Sequence, residues 1–117
     1  MNTLRNKVTL IGNAGMKPEV KHIENGSKLA RFPLATNERY TNKQGEAVTQ
    51  TQWHSIVAWG KIAGIIERYV DKGLEIMIEG KIQHRTVELA SGERRYYTEI
   101  EASNVTLMDK SVLRQSA

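Results

Sequence analysis

Hydrophobic and polar residues alternate with a period of two along most of this chain, and one stretch alone carries a helical period. Arg5 to Ile11 starts the alternation, with Val8 and Leu10 facing one way, and Gly12-Asn13-Ala14-Gly15 is expected to end that strand. After Pro18 comes a short extended piece, Val20 to Ile23. Asn25-Gly26 then signals a hairpin whose central residues need positive φ. The return strand reads from Lys28 to Asn37, with Leu29, Phe32, Leu34 and Ala35 as its apolar content. Pro33 cannot donate to a ladder, so an edge or a bulge is expected there. A polar loop over 38–46 carries Arg39, Tyr40 and Lys43.

The long run from Thr49 to Lys61 is rich in β-branched and aromatic residues and closes on Gly60. Alternation puts Trp53, Ser55, Val57 and Trp59 on one face and His54, Ile56 and Ala58 on the other. Both tryptophans of the protein therefore share one face of one strand. Two readings stand at this point: a surface that receives flat rings, or a core that contains both indoles. Ile62, Ile65, Ile66, Tyr69 and Val70 then fall on one helical face, and Asp71-Lys72-Gly73 stops the helix. Leu74, Ile76 and Ile78 alternate inward along the next strand, and Gly80 inside it predicts a bend or bulge. Extended sequence continues to Glu88, turns at Ala90-Ser91-Gly92-Glu93, and returns from Arg94 to Met108. Tyr96, Thr98, Ile100 and Ala102 line one face there, with Tyr97, Glu99 and Glu101 on the other.

The order is strand, strand, strand, helix, strand, strand. It predicts an all-β fold, a five-stranded barrel of the OB type with one α-helix between strands 3 and 4. No repeat or linker divides the chain, so residues 1–108 read as one domain and 109–117 as a short polar tail.

Composition narrows the chemistry. Seventeen Lys and Arg against thirteen Asp and Glu leave a net charge of +4 over 117 residues, a modest pull towards polyanions. There are no cysteines, so disulfides and thiolate metal sites are excluded, in keeping with a cytoplasmic protein. No secretory leader and no run of membrane-spanning length is visible. His22, His54 and His84 lie on three separate elements, and Asp71 and Asp109 are the only aspartates. Without convergent carboxylates, a phosphate loop or a nucleophile elbow, no enzyme and no cofactor are expected. Binding chemistry is better represented. Aromatic platforms and nearby cations are what single-stranded nucleic acid needs, and here Trp53, Trp59 and Tyr40 stand among Arg39, Lys43, Lys61, Lys72, Arg85, Arg94 and Arg95.

The ordered set Asn6-Lys7-Val8, Ile11-Gly12-Asn13, Pro18-Glu19-Val20, Asn25-Gly26, Leu34-Ala35-Thr36, Thr51-Gln52-Trp53-His54, Gly60-Lys61, Tyr69-Val70, Lys72-Gly73, Ile78-Glu79-Gly80, Arg95-Tyr96 and Thr98-Glu99 carries a resemblance. From about residue 5 to 108 the chain resembles the bacterial single-stranded DNA-binding protein (SSB) family. That resemblance implies an OB-fold subunit of a homotetramer that wraps single-stranded DNA with little sequence preference, in replication, recombination and repair. It implies stacking on Trp53, Trp59 and Tyr40, and phosphate contacts from Lys43, Lys61, Lys72, Arg85 and Arg95. Assembly is expected through the strand Arg5 to Ile11 and the edge near His54. The compartment implied is the nucleoid-bearing cytoplasm, with no membrane partner.

Three departures stand out. Val87 falls where the family carries a further stacking aromatic, Ser55 where many relatives are basic, and the family's acidic, aromatic-tipped tail is missing. Recruitment of other proteins through such a tail is therefore not expected. A second function class follows from these departures. It is a tail-less SSB-like accessory, such as a PriB-like primosome component or a mobile-element copy, working mainly through protein contacts.

Overall fold

The computed structural model describes residues 3–108, so the tail expected over 109–117 lies outside the described residues. Strands β1 (Val8–Ala14), β2 (Glu19–His22), β3 (Lys28–Thr41) and β4 (Ala47–Trp59) precede helix α1 (Gly60–Tyr69), and β5 (Glu75–Glu88) and β6 (Arg94–Leu107) follow it. Neighbours run β1-β5-β6-β4-β3, and a further pairing of β3 with β1 closes the ring. This is the five-stranded OB-type barrel, with one helix between the third and fourth barrel strands. The short β2 is an addition outside the ring, paired only with the start of β3. Asn25 and Gly26 both take positive φ, 76° and 77°, in the connection between β2 and β3, as the hairpin signal requires.

The core lies inside the ring. Phe32, Leu34, Ile56, Ala58, Ile76, Ile78, Ile100 and Ala102 are buried there, each at the inward position of its strand. Ala63 and Ile66 of α1 join them, with Ile62 and Tyr69 at the margin. Ala63, rather than the expected Ile65, therefore sits at the centre of the helix's inner face.

Closure depends on two strands that bend to serve two neighbours. β1 does not stop at Gly12 as expected. It pairs with β5 from Val8 to Asn13, then passes to β3 at Asn13 and Ala14. A Cβ at Gly12 would collide with the Ala35 carbonyl, so only glycine lets the backbones meet there. At the opposite corner the β5–β6 register shifts between Glu79 and Gly80, the expected bulge, and a Cβ at Gly80 would collide with the Glu101 carbonyl. Pro33 lies at neither an edge strand nor a bulge. It occupies the gap where β3 has left β2, after Arg31, and has not yet met β1, at Leu34, so no strand on that side asks for its missing N–H.

β3 is longer than expected, reaching Thr41 instead of Asn37. Beyond Ala35 it pairs with β4 alone, forming a two-stranded arm with Ala47 to Gln52. The arm closes at Asn42, whose side chain accepts hydrogen bonds from the backbone N–H groups of Gln44 and Glu46. Past Ile100 and Ile82 the β5–β6 pair forms a second arm, ending at Glu88 and Arg94.

Candidate nucleic-acid interface

One register defines the face that matters. On the outer side of the β3–β4 ladder, Leu29 stands opposite Trp59, Arg31 opposite Val57, Pro33 opposite Ser55, and Ala35 opposite Trp53. Residues opposite one another in an antiparallel pair share a face, so these eight form a continuous double row. Leu29, Val57 and Ala35 are buried, yet they belong outside the barrel core. They form a thin second apolar layer on the outer face, in the same rows as the indoles.

The two tryptophans are not core residues. Trp53 is 62% exposed and Trp59 48% exposed. Each is seated against the protein on one side. Gly15 lies so close under Trp53 that an added Cβ would meet its Cζ3 at 2.5 Å, and Pro33 borders the same spot. Trp59 ends β4 directly across from Leu29. Exposure combined with a rigid seat leaves an aromatic surface able to accept a flat partner.

Between the tryptophans runs an ion-pair network that crosses three strands. Arg31 of β3 and Arg85 of β5 both bind the Glu99 carboxylate of β6, the latter through Nε at 3.1 Å. The Glu99 side chain is only 8% exposed. Burial pushes its carboxyl up, but hydrogen bonds and charge from Arg85 and Arg31 outweigh that and hold it below the ordinary glutamate value. Since β4 lies between β3 and β6, the Arg31–Glu99 pair spans the Ser55–Val57 stretch and helps to cover Val57. The Arg85 guanidinium also lies over the Tyr97 ring, 4.8 Å from its centroid. A cavity of about 290 Å³ opens here, lined by Arg31, Ser55, Arg85, Tyr97 and Glu99 among others.

The remaining expected site residues scatter around this face. Lys61 is exposed in the first turn of α1, two residues after Trp59. Lys72 is exposed in a turn tied to the end of β1, where the Gly73 N–H donates to the Ala14 carbonyl at 2.8 Å. Lys43 sits in the closing turn of the β3–β4 arm, and Arg95 lies opposite Val87 on the β5–β6 arm. Two placements differ from expectation. Tyr40 is not in a loop but in β3, opposite Val48, and the pleat gives it the other face of the ribbon from Trp53. Arg85 is a strand residue already engaged with a carboxylate, not a free loop cation.

Arg31, Glu99, Tyr97 and Gly15 were not singled out from the sequence as site residues. Alternation does put Tyr97 and Glu99 on one strand face, but Arg31, which completes the network, lies on a strand 68 residues from Glu99 in the chain. Among the described residues no cluster of His, Cys, Asp or Glu is placed to hold a metal ion, and no helix is long and apolar enough to cross a membrane. His54 and His84 each bond a threonine, Thr36 and Thr98.

Fold and face together define an OB-type barrel whose outer sheet presents seated, exposed aromatics ringed by cations. The comparisons with known proteins take this further. The model of the Single-strand binding protein family matches residues 5–108, and the chain belongs to that family. It is 46% identical over 105 residues to the single-stranded DNA-binding protein of Bacteroides thetaiotaomicron, covering 88% of this chain and 65% of that protein. It is 38% identical over 104 residues to single-stranded DNA-binding protein 1 of Chlorobaculum tepidum, covering 88% of this chain and 64% of that one. The chain thus spans slightly less than two thirds of the length of these relatives. Among solved structures, the Plasmodium falciparum SSB in complex with ssDNA superposes with a TM-score of 0.81 at 32% identity, covering 89% of this chain and 95% of the other.

Proposed function

We propose that this domain binds single-stranded DNA with little sequence preference, stacking bases on Trp53 and Trp59 and holding phosphates with Lys43, Lys61, Lys72 and Arg95, in replication, recombination and repair. The observation that carries the reading is the pair of tryptophans held on one outer face, seated beneath and open above. A stacked base gains the same contact whatever its identity, so such a face is tolerant of sequence. Titration of intrinsic tryptophan fluorescence with oligothymidylates of increasing length, at two salt concentrations, tests it. Quenching that saturates and weakens with salt is expected, and an unchanged emission overturns the reading.

The same proposal includes assembly as a homotetramer. β1 is paired with β5 on one side, but on the other its ladder with β3 is limited to Asn13 and Ala14, so among the described residues its edge from Val8 to Ile11 has no strand partner. Ile11 is exposed beside it. An open edge with an apolar neighbour is a surface that proteins cover, and a second copy is the occupant favoured here. Light scattering at micromolar concentration that gave the mass of one chain would refute assembly while leaving DNA binding untouched.

A further inference from the structure

The cavity beside Ser55 opens between the two tryptophans and reaches from their row across to β5 and β6, and its walls combine flat groups with balanced charge. Tyr97 and Arg85 face each other across the β5–β6 ladder, with the guanidinium over the ring. Arginine on a protein surface ordinarily keeps much rotamer freedom, but this one is held. Glu99 accepts from its Nε and, at 3.5 Å, from a terminal nitrogen, and Glu99 is itself buried and bound by Arg31. The result is a fixed pair of planar groups at the mouth of a cavity whose remaining walls include Met16, Pro33 and Ser55.

The charge on those walls decides what the cavity takes. Arg31 and Arg85 are matched by Glu19 and Glu99, so the lining is neutral overall. A phosphate would meet two carboxylates and gain little. A nucleobase is flat, uncharged and edged with donors and acceptors. It matches a guanidinium–ring platform, apolar walls and a hydroxyl. The volume of about 290 Å³ is close to the lower end, roughly 300 Å³, of pockets that hold small ligands. One nucleobase matches that size. Val87, on the same face of the arm and one step from Tyr97 across the ladder, has no π-face to offer. Tyr97 is 39% exposed and is the only aromatic on that face of the arm among the described residues.

We propose that Tyr97 and Arg85 form a third nucleobase-stacking site, in which this cavity receives one base of a bound single strand and Glu99 and Arg31 act as positioning residues. The site rests on the proposed single-strand binding, and its test separates the two. The full chain is titrated with oligothymidylate at fixed salt, and irradiated with the same oligomer carrying 5-iododeoxyuridine to map crosslinked residues. Tyr97→Ala is expected to weaken binding by roughly 5- to 150-fold, the equivalent of one base–aromatic contact. Tyr97→Phe keeps the ring and is expected to bind like the parent. Arg85→Lys keeps the charge but removes the plane, and is expected to weaken binding without changing the salt slope. A crosslink on Tyr97 completes the supporting set. If Tyr97→Ala melts and binds like the parent while Trp53→Ala and Trp59→Ala bind poorly, the third site is refuted and the tryptophan face stands. If none of the three substitutions alters binding, the whole face is wrong.

Discussion

Gly15→Ala tests whether the seat of Trp53 matters, without removing any group that touches DNA. The added Cβ would lie 2.5 Å from Trp53 Cζ3, 3.0 Å from Cη2 and 3.2 Å from Pro33 Cγ. Carbon atoms ordinarily rest about 3.5–4.0 Å apart, so the indole must retreat by about 1 Å. The obstacle is the far end of an exposed side chain, not backbone, so the ring rather than the fold should move. Gly15 is outside the left-handed region, so alanine fits its backbone. Replacing glycine by alanine at such a position stabilises by about 0.4–1 kcal/mol through the unfolded chain, and the lost indole contact opposes this. Melting temperature should therefore change little. Affinity should change more. A seated tryptophan contributes about 1–3 kcal/mol of stacking, and a tilted one should forfeit about 1 kcal/mol of it, some fivefold in Kd.

The decisive measurement is a double-mutant cycle by fluorescence titration against one oligothymidylate length at one salt concentration. In a Trp53→Ala background there is no ring to displace, so Gly15→Ala should then cost nothing, with a coupling of about 1 kcal/mol. Equal costs in both backgrounds would show that the alanine acts through the β1 backbone, and the seat would lose its meaning.

Four further outcomes are expected. Trp53→Ala and Trp59→Ala should each weaken single-strand binding by about 1–3 kcal/mol while destabilising the fold less than the 3–5 kcal/mol of a core tryptophan, as thermal melts will show. Log affinity should fall linearly with log salt. Lys43→Ala and Lys61→Ala should each flatten that slope by about one, whereas Arg85→Ala, already partnered by Glu99, should flatten it less. Gly80→Ala should destabilise by about 1–3 kcal/mol or more, because its methyl meets the Glu101 backbone rather than a movable side chain. Glu99 titrates below its ordinary value, so its contribution to stability is present above the unfolded-state pKa and disappears as pH falls through the folded one. Glu99→Gln should therefore flatten the acid limb of the melting curve, and an unaltered limb would count against the Arg31–Glu99–Arg85 network.

The barrel was legible because inward positions repeat every second residue. Val8 and Leu10, Ile76 and Ile78, and Ile100 and Ala102 all point inward as the alternation implies. Where the alternation stops, boundaries failed. Thr36 to Thr41 is polar on both faces, so nothing in the pattern separates an exposed arm from a loop, and Tyr40 reads from the sequence as a loop residue although it lies in β3. Gly12 reads equally as a terminator and as a bend, and only the arrival of Ala35 from β3 decides between them. The tryptophan row was visible from a single strand. Its companions were not, since Arg31 and Glu99 lie 68 residues apart in the chain. Closure of the ring is what brings them across β4, so no local spacing could have paired them.

The division between barrel and arms also explains why the face is rigid enough to bind. β3 is buried or half-buried up to Thr36 and exposed beyond it, and β5 is alternately buried up to Gly80 and largely exposed after it. Each long strand is therefore anchored by its barrel half. The binding row lies on the anchored half of β4, from Trp53 to Trp59, directly behind Ile56 and Ala58 of the core. Its outer layer, Leu29, Val57 and Ala35, is buried in the same double row as the tryptophans. A stacking platform pays little ordering entropy when its backbone is fixed on both sides. Lys43 and Arg95, out on two-stranded arms, lack that second layer. Long-range charge attraction suits such positions, because it requires no fixed geometry. The tryptophans sit where the sheet is thick, and Lys43 and Arg95 sit where it is thin.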